Sequence, residues 1–199
     1  MSRKVFFVYF LVLTLVWVGF LKLVSSYVNL QEVDKNISPK KKEVELPKKE
    51  RPGVPKLLLI PKTKTQASIE SLGLDQTGKM DVPKEPGNVG WYNLGYRPGE
   101  DGSAVIAGHL DTVTGAPAVF YDLNLLEIGD EIFVIDDKDK QYKFIVTDKR
   151  NYSFEEVPLR AIFANSRQAG LNLITCNGNW DNIQKNYSHR IVVYSKLVE

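Results

Sequence analysis

The sequence predicts a mainly β domain, a closed or nearly closed barrel or sandwich with small helical insertions, carried behind an N-terminal transmembrane helix. Three observations predict it. Short runs rich in Val, Ile, Tyr and Phe alternate with Gly, Asp and Pro punctuation from Lys56 onward. No alternation of strands with long amphipathic helices marks a βαβ repeat. Residues 5–21 are uncharged and overwhelmingly apolar, and Leu23 and Val24 extend the run past Lys22, close to the roughly 20 apolar residues that span a bilayer.

Taken in order, Arg3 and Lys4 precede the apolar run, so residues 1–4 are expected in the cytoplasm and the rest of the chain outside. Residues 5–24 are read as a retained signal anchor; the alternative is a cleaved signal peptide ending near Val24-Ser25-Ser26. Residues 25–55, rich in Lys, Glu and Pro, have too little apolar surface to offset chain entropy and read as an extracytoplasmic tether. The folded domain is then 56–199. Expected strands are 57–60, 103–108, 131–135, 141–148, 171–175 and 191–197. Turns are expected at 75–78 and 136–139, the second closing a hairpin. Short helical turns are expected at 118–126 and after Pro158, a residue suited to a first helical position.

Formal charge is only +2, and the basic excess lies in the first 55 residues, leaving the domain slightly acidic. A general nucleic-acid binder needs a basic stripe on the folded part, so nucleic acid is not an expected partner. One cysteine, Cys176, excludes an internal disulfide. Outside the cytosol such a thiol is an intermolecular partner, an inert core residue or a reactive group. Two histidines and one cysteine at wide spacing make no metal-ligand cluster.

The residues that can carry chemistry sit at strand ends. His109 follows Ala104 to Gly108, and Cys176 follows Leu171 to Thr175 and precedes the loop-forming Asn177-Gly178-Asn179. If the two strands are neighbours, imidazole and thiol meet at one rim. A thiol of pKa about 8.5 needs such a partner to react at neutral pH. Arg190, permanently charged at the start of the last strand, suits an oxyanion. His189 is the competing base, but alternation sends residues 189 and 190 to opposite faces. Asp111 follows the histidine closely enough to help orient it, but a turn or solvent role is the favoured reading, and Asp181 has no assignable role from spacing.

These segments resemble the sortase family. Leu173-Ile174-Thr175-Cys176 is similar to the sortase Thr-Leu-x-Thr-Cys signature, with Asn172 where the first Thr is usual. Ala107-Gly108-His109-Leu110-Asp111 resembles the histidine segment, and Arg190 to Tyr194 the arginine-bearing last strand. Gly90-Trp91-Tyr92 and the run from Gly115 to Tyr121 are most similar to class F. The absence of an Asp-Pro-Trp or Asp-Pro-Phe lid before the domain argues against class C.

The resemblance implies an eight-stranded sortase barrel and a cysteine transpeptidase without cofactor. Cys176 is then the nucleophile, His109 its proton partner and Arg190 the oxyanion stabiliser, with Thr175 a substrate contact. The implied partners are surface proteins bearing a Leu-Pro-x-Thr-Gly-like sorting signal, an amine from peptidoglycan precursor, and the bacterial membrane holding the anchor. Two other readings remain: an L,D-transpeptidase-like cysteine enzyme, and a tethered binding module with an inert Cys176.

Overall fold

A computed structural model of the chain describes residues 17, 19–27 and 50–198. Residues 19–27 are helical, with Phe20, Leu23 and Tyr27 exposed. No helix among the described residues is long and apolar enough to cross a membrane. Most of the expected 5–24 anchor and 25–55 tether lies outside the described residues. The chain divides into residues 1–49 and Glu50–Glu199, and the second unit carries the fold.

Eight strands build it: β1 (Pro55–Ile60), β2 (Thr65–Leu72), β3 (Val89–Tyr92), β4 (Gly102–Gly108), β5 (Glu131–Asp136), β6 (Gln141–Ser153), β7 (Ala169–Asp181) and β8 (Asn186–Leu197). They close into a barrel in the order β1-β2-β3-β4-β7-β8-β6-β5, with β5 pairing back onto β1. Closure removes the free edges of an open sheet. The β2–β3 and β4–β7 pairs are parallel and the others antiparallel. A parallel pair needs a crossover. The β2–β3 crossover is the loop 73–88, and β5 and β6 lie within the connection from β4 to β7.

Strand alternation sorts side chains to two sides. Ala104 and Ile106 of β4, Leu171 and Leu173 of β7 and Ile191 and Val193 of β8 point into the interior with Leu58 and Phe144. Their neighbours Val105, Ile174 and Val192 face outward, where they meet Ile162, Val157, Phe163 and Met80. Ile162 ends a one-turn helix, α1 (Leu159–Ile162), after Pro158. The β6–β7 connection is thereby fastened to the outer face of β4, β7 and β8, beside the expected site.

The hairpin at 136–139 forms, and Asp136 holds it together. Its buried carboxylate accepts the backbone N–H groups of Gly53, Lys138 and Lys140 and the Tyr142 hydroxyl. Arg97 donates to the Pro52 carbonyl at 2.7 Å and Val54 N–H to Asp137 at 2.9 Å. Residues 52–54, placed in the tether by the sequence reading, are thus bonded to the barrel.

The 118–126 segment contains a short helical turn, as expected. It is a 3-10 turn, Leu123–Leu125. Phe120, Leu123 and Leu126 are all buried, and this three-residue spacing matches the 3-10 period better than an α-helix. The expected loop at 177–179 is strand, because β7 and β8 continue as a hairpin through a register shift between Asn177 and Trp180.

Candidate active site

Cys176 lies directly across from Arg190 in the antiparallel β7–β8 ladder. On the other side of β7, Ala107 of β4 is in parallel register with Ile174; two residues further on are His109, just past the end of β4, and Cys176, which line the same two cavities. All three share the outward parity of Val105, Ile174 and Val192, so alternation places them on one face. His189 takes the opposite parity. Its Nδ1 lies 2.8 Å from Ser188 Oγ, and it lines neither cavity that reaches Cys176.

Thr175 ties the two strands at this point. It is buried, and its Oγ1 donates to the Gly108 carbonyl at 2.9 Å. Gly108 is required where it stands, since a Cβ there would lie 2.5 Å from the Phe120 ring. Phe120 N–H in turn donates to the His109 carbonyl at 2.9 Å, so the backbone of the histidine is held from both sides.

The imidazole is oriented by an unexpected partner. His109 Nε2 lies 2.8 Å from the carbonyl oxygen of Pro83, in the β2–β3 loop. A carbonyl only accepts, so Nε2 carries the proton and Nδ1 is the position left for exchange. The loop is itself pinned by Glu70 of β2, whose carboxylate accepts Lys84 N–H at 3.1 Å and Asn88 Nδ2 at 3.0 Å. Those bonds, with the Asn88 side chain leading, hold the Glu70 carboxyl below its usual range.

Arg190 is clamped by its own strand. Nη1 donates to the carbonyls of Tyr187 and His189, at 3.0 and 2.7 Å, and Nη2 donates to Asn186 Oδ1 at 2.6 Å. The guanidinium stands 4.7 Å from the Phe154 ring centroid. A guanidinium has five N–H donors, so two are left without a protein acceptor among the described residues. Such a fixed cation with spare donors can meet a developing oxyanion.

Cys176 is half-buried. Burial pushes its thiol above the ordinary value, the Arg190 guanidinium pulls it partly back, and the Asp111 carboxylate pushes it up again. Burial thus disfavours the thiolate, and a base in contact with the sulfur would favour attack.

Two cavities meet at this point, and Val82, His109, Cys176 and Arg190 line both. One, about 460 Å3, runs under the β6–β7 connection and is walled by Val157, Leu159, Phe163, Ile174 and Thr175. The other, about 680 Å3, lies between the loop after β4 and the β7–β8 hairpin, with Asp111, Trp180, Lys185 and Tyr187 in its wall. Asp111, for which the sequence favours a turn or solvent role over orienting His109, accepts the Tyr187 hydroxyl. That bond pushes the Tyr187 phenol up to about 12. Among the described residues, no group of three His, Cys, Asp or Glu side chains is placed to hold a metal ion.

The sortase family model, described as a sortase domain, matches residues 58–198. The chain belongs to the sortase family. Sortases are cysteine transpeptidases of the bacterial cell envelope, which rules out the L,D-transpeptidase-like alternative. The solved structures it is similar to include sortase C-1 from Actinomyces oris, at 23% identity and a TM-score of 0.57 over 72% of this chain and 71% of that one. A lid mutant of sortase A from Corynebacterium diphtheriae is 21% identical, with a TM-score of 0.57 over 77% and 74%. A sortase D5 transpeptidase from Clostridium perfringens is 22% identical, with a TM-score of 0.54 over 74% and 79%. At these identities the likeness establishes the shared barrel. No curated protein matches the chain.

Asn172 can now be explained where it departs from the sortase signature. It is buried, and its Nδ2 donates to the Ile162 carbonyl at 2.6 Å. The side chain satisfies an end carbonyl of α1 that the helix leaves without a partner, and so fastens the β6–β7 connection to β7.

Proposed function

We propose that the protein is a membrane-anchored bacterial transpeptidase that cleaves a Leu-Pro-x-Thr-Gly-like sorting signal and transfers its acyl part to an amine of the cell wall. The observation that carries this reading is the convergence of Cys176, His109 and Arg190 where two open cavities meet. An inert thiol, as a binding module requires, would sit in the core instead. The apolar run at 5–24 supports an anchor with the domain outside, and the segments 90–92 and 115–121 support class F.

The donor peptide lies in the cavity under the β6–β7 connection, whose Val157, Leu159 and Phe163 suit the Leu and Pro of such a signal. Thr175 lines this cavity with its hydroxyl already committed to Gly108, so its methyl group is what it offers the substrate. His109 Nδ1 takes the thiol proton as the sulfur attacks the Thr carbonyl. The oxyanion takes the spare donors of Arg190. Collapse breaks the Thr-Gly bond, and the imidazolium returns its proton to the departing amine, leaving a thioester on Cys176. An acceptor amine, or water, then attacks that thioester through the reverse proton path.

The test is turnover of a quenched fluorescent Leu-Pro-x-Thr-Gly peptide library by the full chain in detergent. Cys176→Ala, His109→Ala and Arg190→Ala should each lose activity, while His189→Ala retains it. A wild type that cleaves none of the peptides, or a Cys176→Ala variant that cleaves them equally well, overturns the reading.

A further inference from the structure

The cavity between the loop after β4 and the β7–β8 hairpin has a wall that the donor side lacks. Asp111 is held there by the Tyr187 hydroxyl, and Tyr187 packs edge-on against Trp180 with ring centroids 5.2 Å apart. All three line the cavity that opens onto Cys176. Asp111 Oδ1 accepts no hydrogen bond among the described residues. The cations nearest in the wall, Lys185 and Arg190, make no ion pair with it, and Arg190 is bonded instead to Asn186, Tyr187 and His189.

A carboxylate here works against the nucleophile, since it pushes the Cys176 thiol further up. Its placement is accounted for by a positive charge that arrives during the reaction. A carboxylate beside two electron-rich rings is the chemistry that recognises an ammonium group. We infer that Asp111, Trp180 and Tyr187 form a subsite for the protonated primary amine of the acyl acceptor.

This rests on the transpeptidase reading. After acylation His109 is neutral, having given its proton to the first leaving amine. The ammonium held at Asp111 gives one proton to His109 Nδ1, and the free amine attacks the thioester carbon. The C–S bond breaks as the C–N bond forms. Of the two protons the nitrogen loses, one ends on the Cys176 sulfur by way of His109 and the other on water, leaving an amide, the thiol and a neutral imidazole.

The experiment uses the full chain, a cleavable donor peptide and two acceptors, triglycine as the cationic amine and hydroxylamine as a small, largely uncharged one. Asp111→Asn and Trp180→Ala should each lower the ratio of triglycine transfer to hydroxylamine transfer at least about 10-fold. Tyr187→Phe, which keeps the ring, should fall between them and wild type. Unaltered ratios, with both transfers slowed together, would mean that Asp111 only supports the fold, and would overturn the inference. A second readout needs no turnover: triglycine should bind saturably to the Cys176→Ala chain, shifting the Trp180 indole N–H resonance, and Asp111→Asn should abolish the shift. A wild type without donor cleavage sinks the transpeptidase reading, whereas the absence of that shift sinks the subsite by itself.

Discussion

His109 Nε2 donates to the Pro83 carbonyl at 2.8 Å, tying the histidine after β4 to the loop between β2 and β3. The bond selects the tautomer, leaving Nδ1 to exchange a proton with Cys176. Nitrogen-15 NMR of the neutral ring should show the proton on Nε2 and a bare Nδ1; a proton on Nδ1 would contradict this geometry. Glu70→Ala, which releases Lys84 and Asn88 of the same loop, should lower kcat several-fold without unfolding the barrel.

The thiol offers a second test. Because burial raises the Cys176 pKa, with Arg190 lowering it and Asp111 raising it, alkylation of the folded protein should reach half its maximal rate at a higher pH than a free thiol. Arg190→Gln should move that midpoint further up, and Asp111→Asn should move it down. Identical midpoints in all three proteins would show that neither charge reaches the sulfur.

Arg190 is fixed by two carbonyls and Asn186, a geometry that a lysine ammonium cannot reproduce. Arg190→Lys is therefore expected to behave much like Arg190→Ala, each losing about 100-fold or more in kcat/KM. Steady-state kinetics on one donor peptide decides it, and full activity in the lysine variant would show that charge alone suffices.

Thr175→Val removes the hydroxyl that donates to the Gly108 carbonyl at the half-buried end of β4. Losing such a bond costs about 0.5–1.5 kcal/mol, and urea unfolding should show it. Thr175→Ser should recover most of the stability. Activity should fall in the valine variant with stability, since the bond spaces the strands that carry His109 and Cys176.

Acid should weaken the hairpin held by Asp136. Burial raises that carboxyl, but the N–H donors of Lys140, Gly53 and Lys138, with the Tyr142 hydroxyl, outweigh it and hold the folded value below the usual range. A depressed folded pKa gives stability that is present above the unfolded value, about 3.9, and is lost as pH falls through the folded one. Between pH 5 and 2, as an order-of-magnitude window, the Tm of wild type should fall more steeply than that of Asp136→Asn; parallel curves would contradict the assignment.

The sequence read well where residues announce their own environment. Strands β1, β4 and β5 stood out because their apolar runs are short, continuous and bounded by turns. β2 was missed because Thr65 to Leu72 is largely polar, with only Ala67 and Leu72 buried in its strand. β3 has only four residues, and Gly90 is forced there by Leu72, whose Cδ1 a Cβ would meet at 2.1 Å. Both depend on pairing partners that no local pattern names.

The site divided in the same way. Cys176, His109 and Arg190 were legible from strand ends and from alternation, which also separated Arg190 from His189. Pro83 was not, because a backbone carbonyl on a loop carries no side-chain signal. Tyr187 was hidden because residues 177–179 read as a loop, whereas the β7–β8 hairpin continues and brings Trp180 and Tyr187 across to Asp111.

The most direct test of the account is intact-protein mass spectrometry of the full chain after incubation with a Leu-Pro-x-Thr-Gly donor and no amine. Wild type should gain the mass of the acyl fragment on Cys176, lose it on addition of triglycine and yield the ligated peptide, while Cys176→Ala gains nothing. Donor cleavage without any adduct, equal in wild type and Cys176→Ala, would contradict a thioacyl intermediate at this residue.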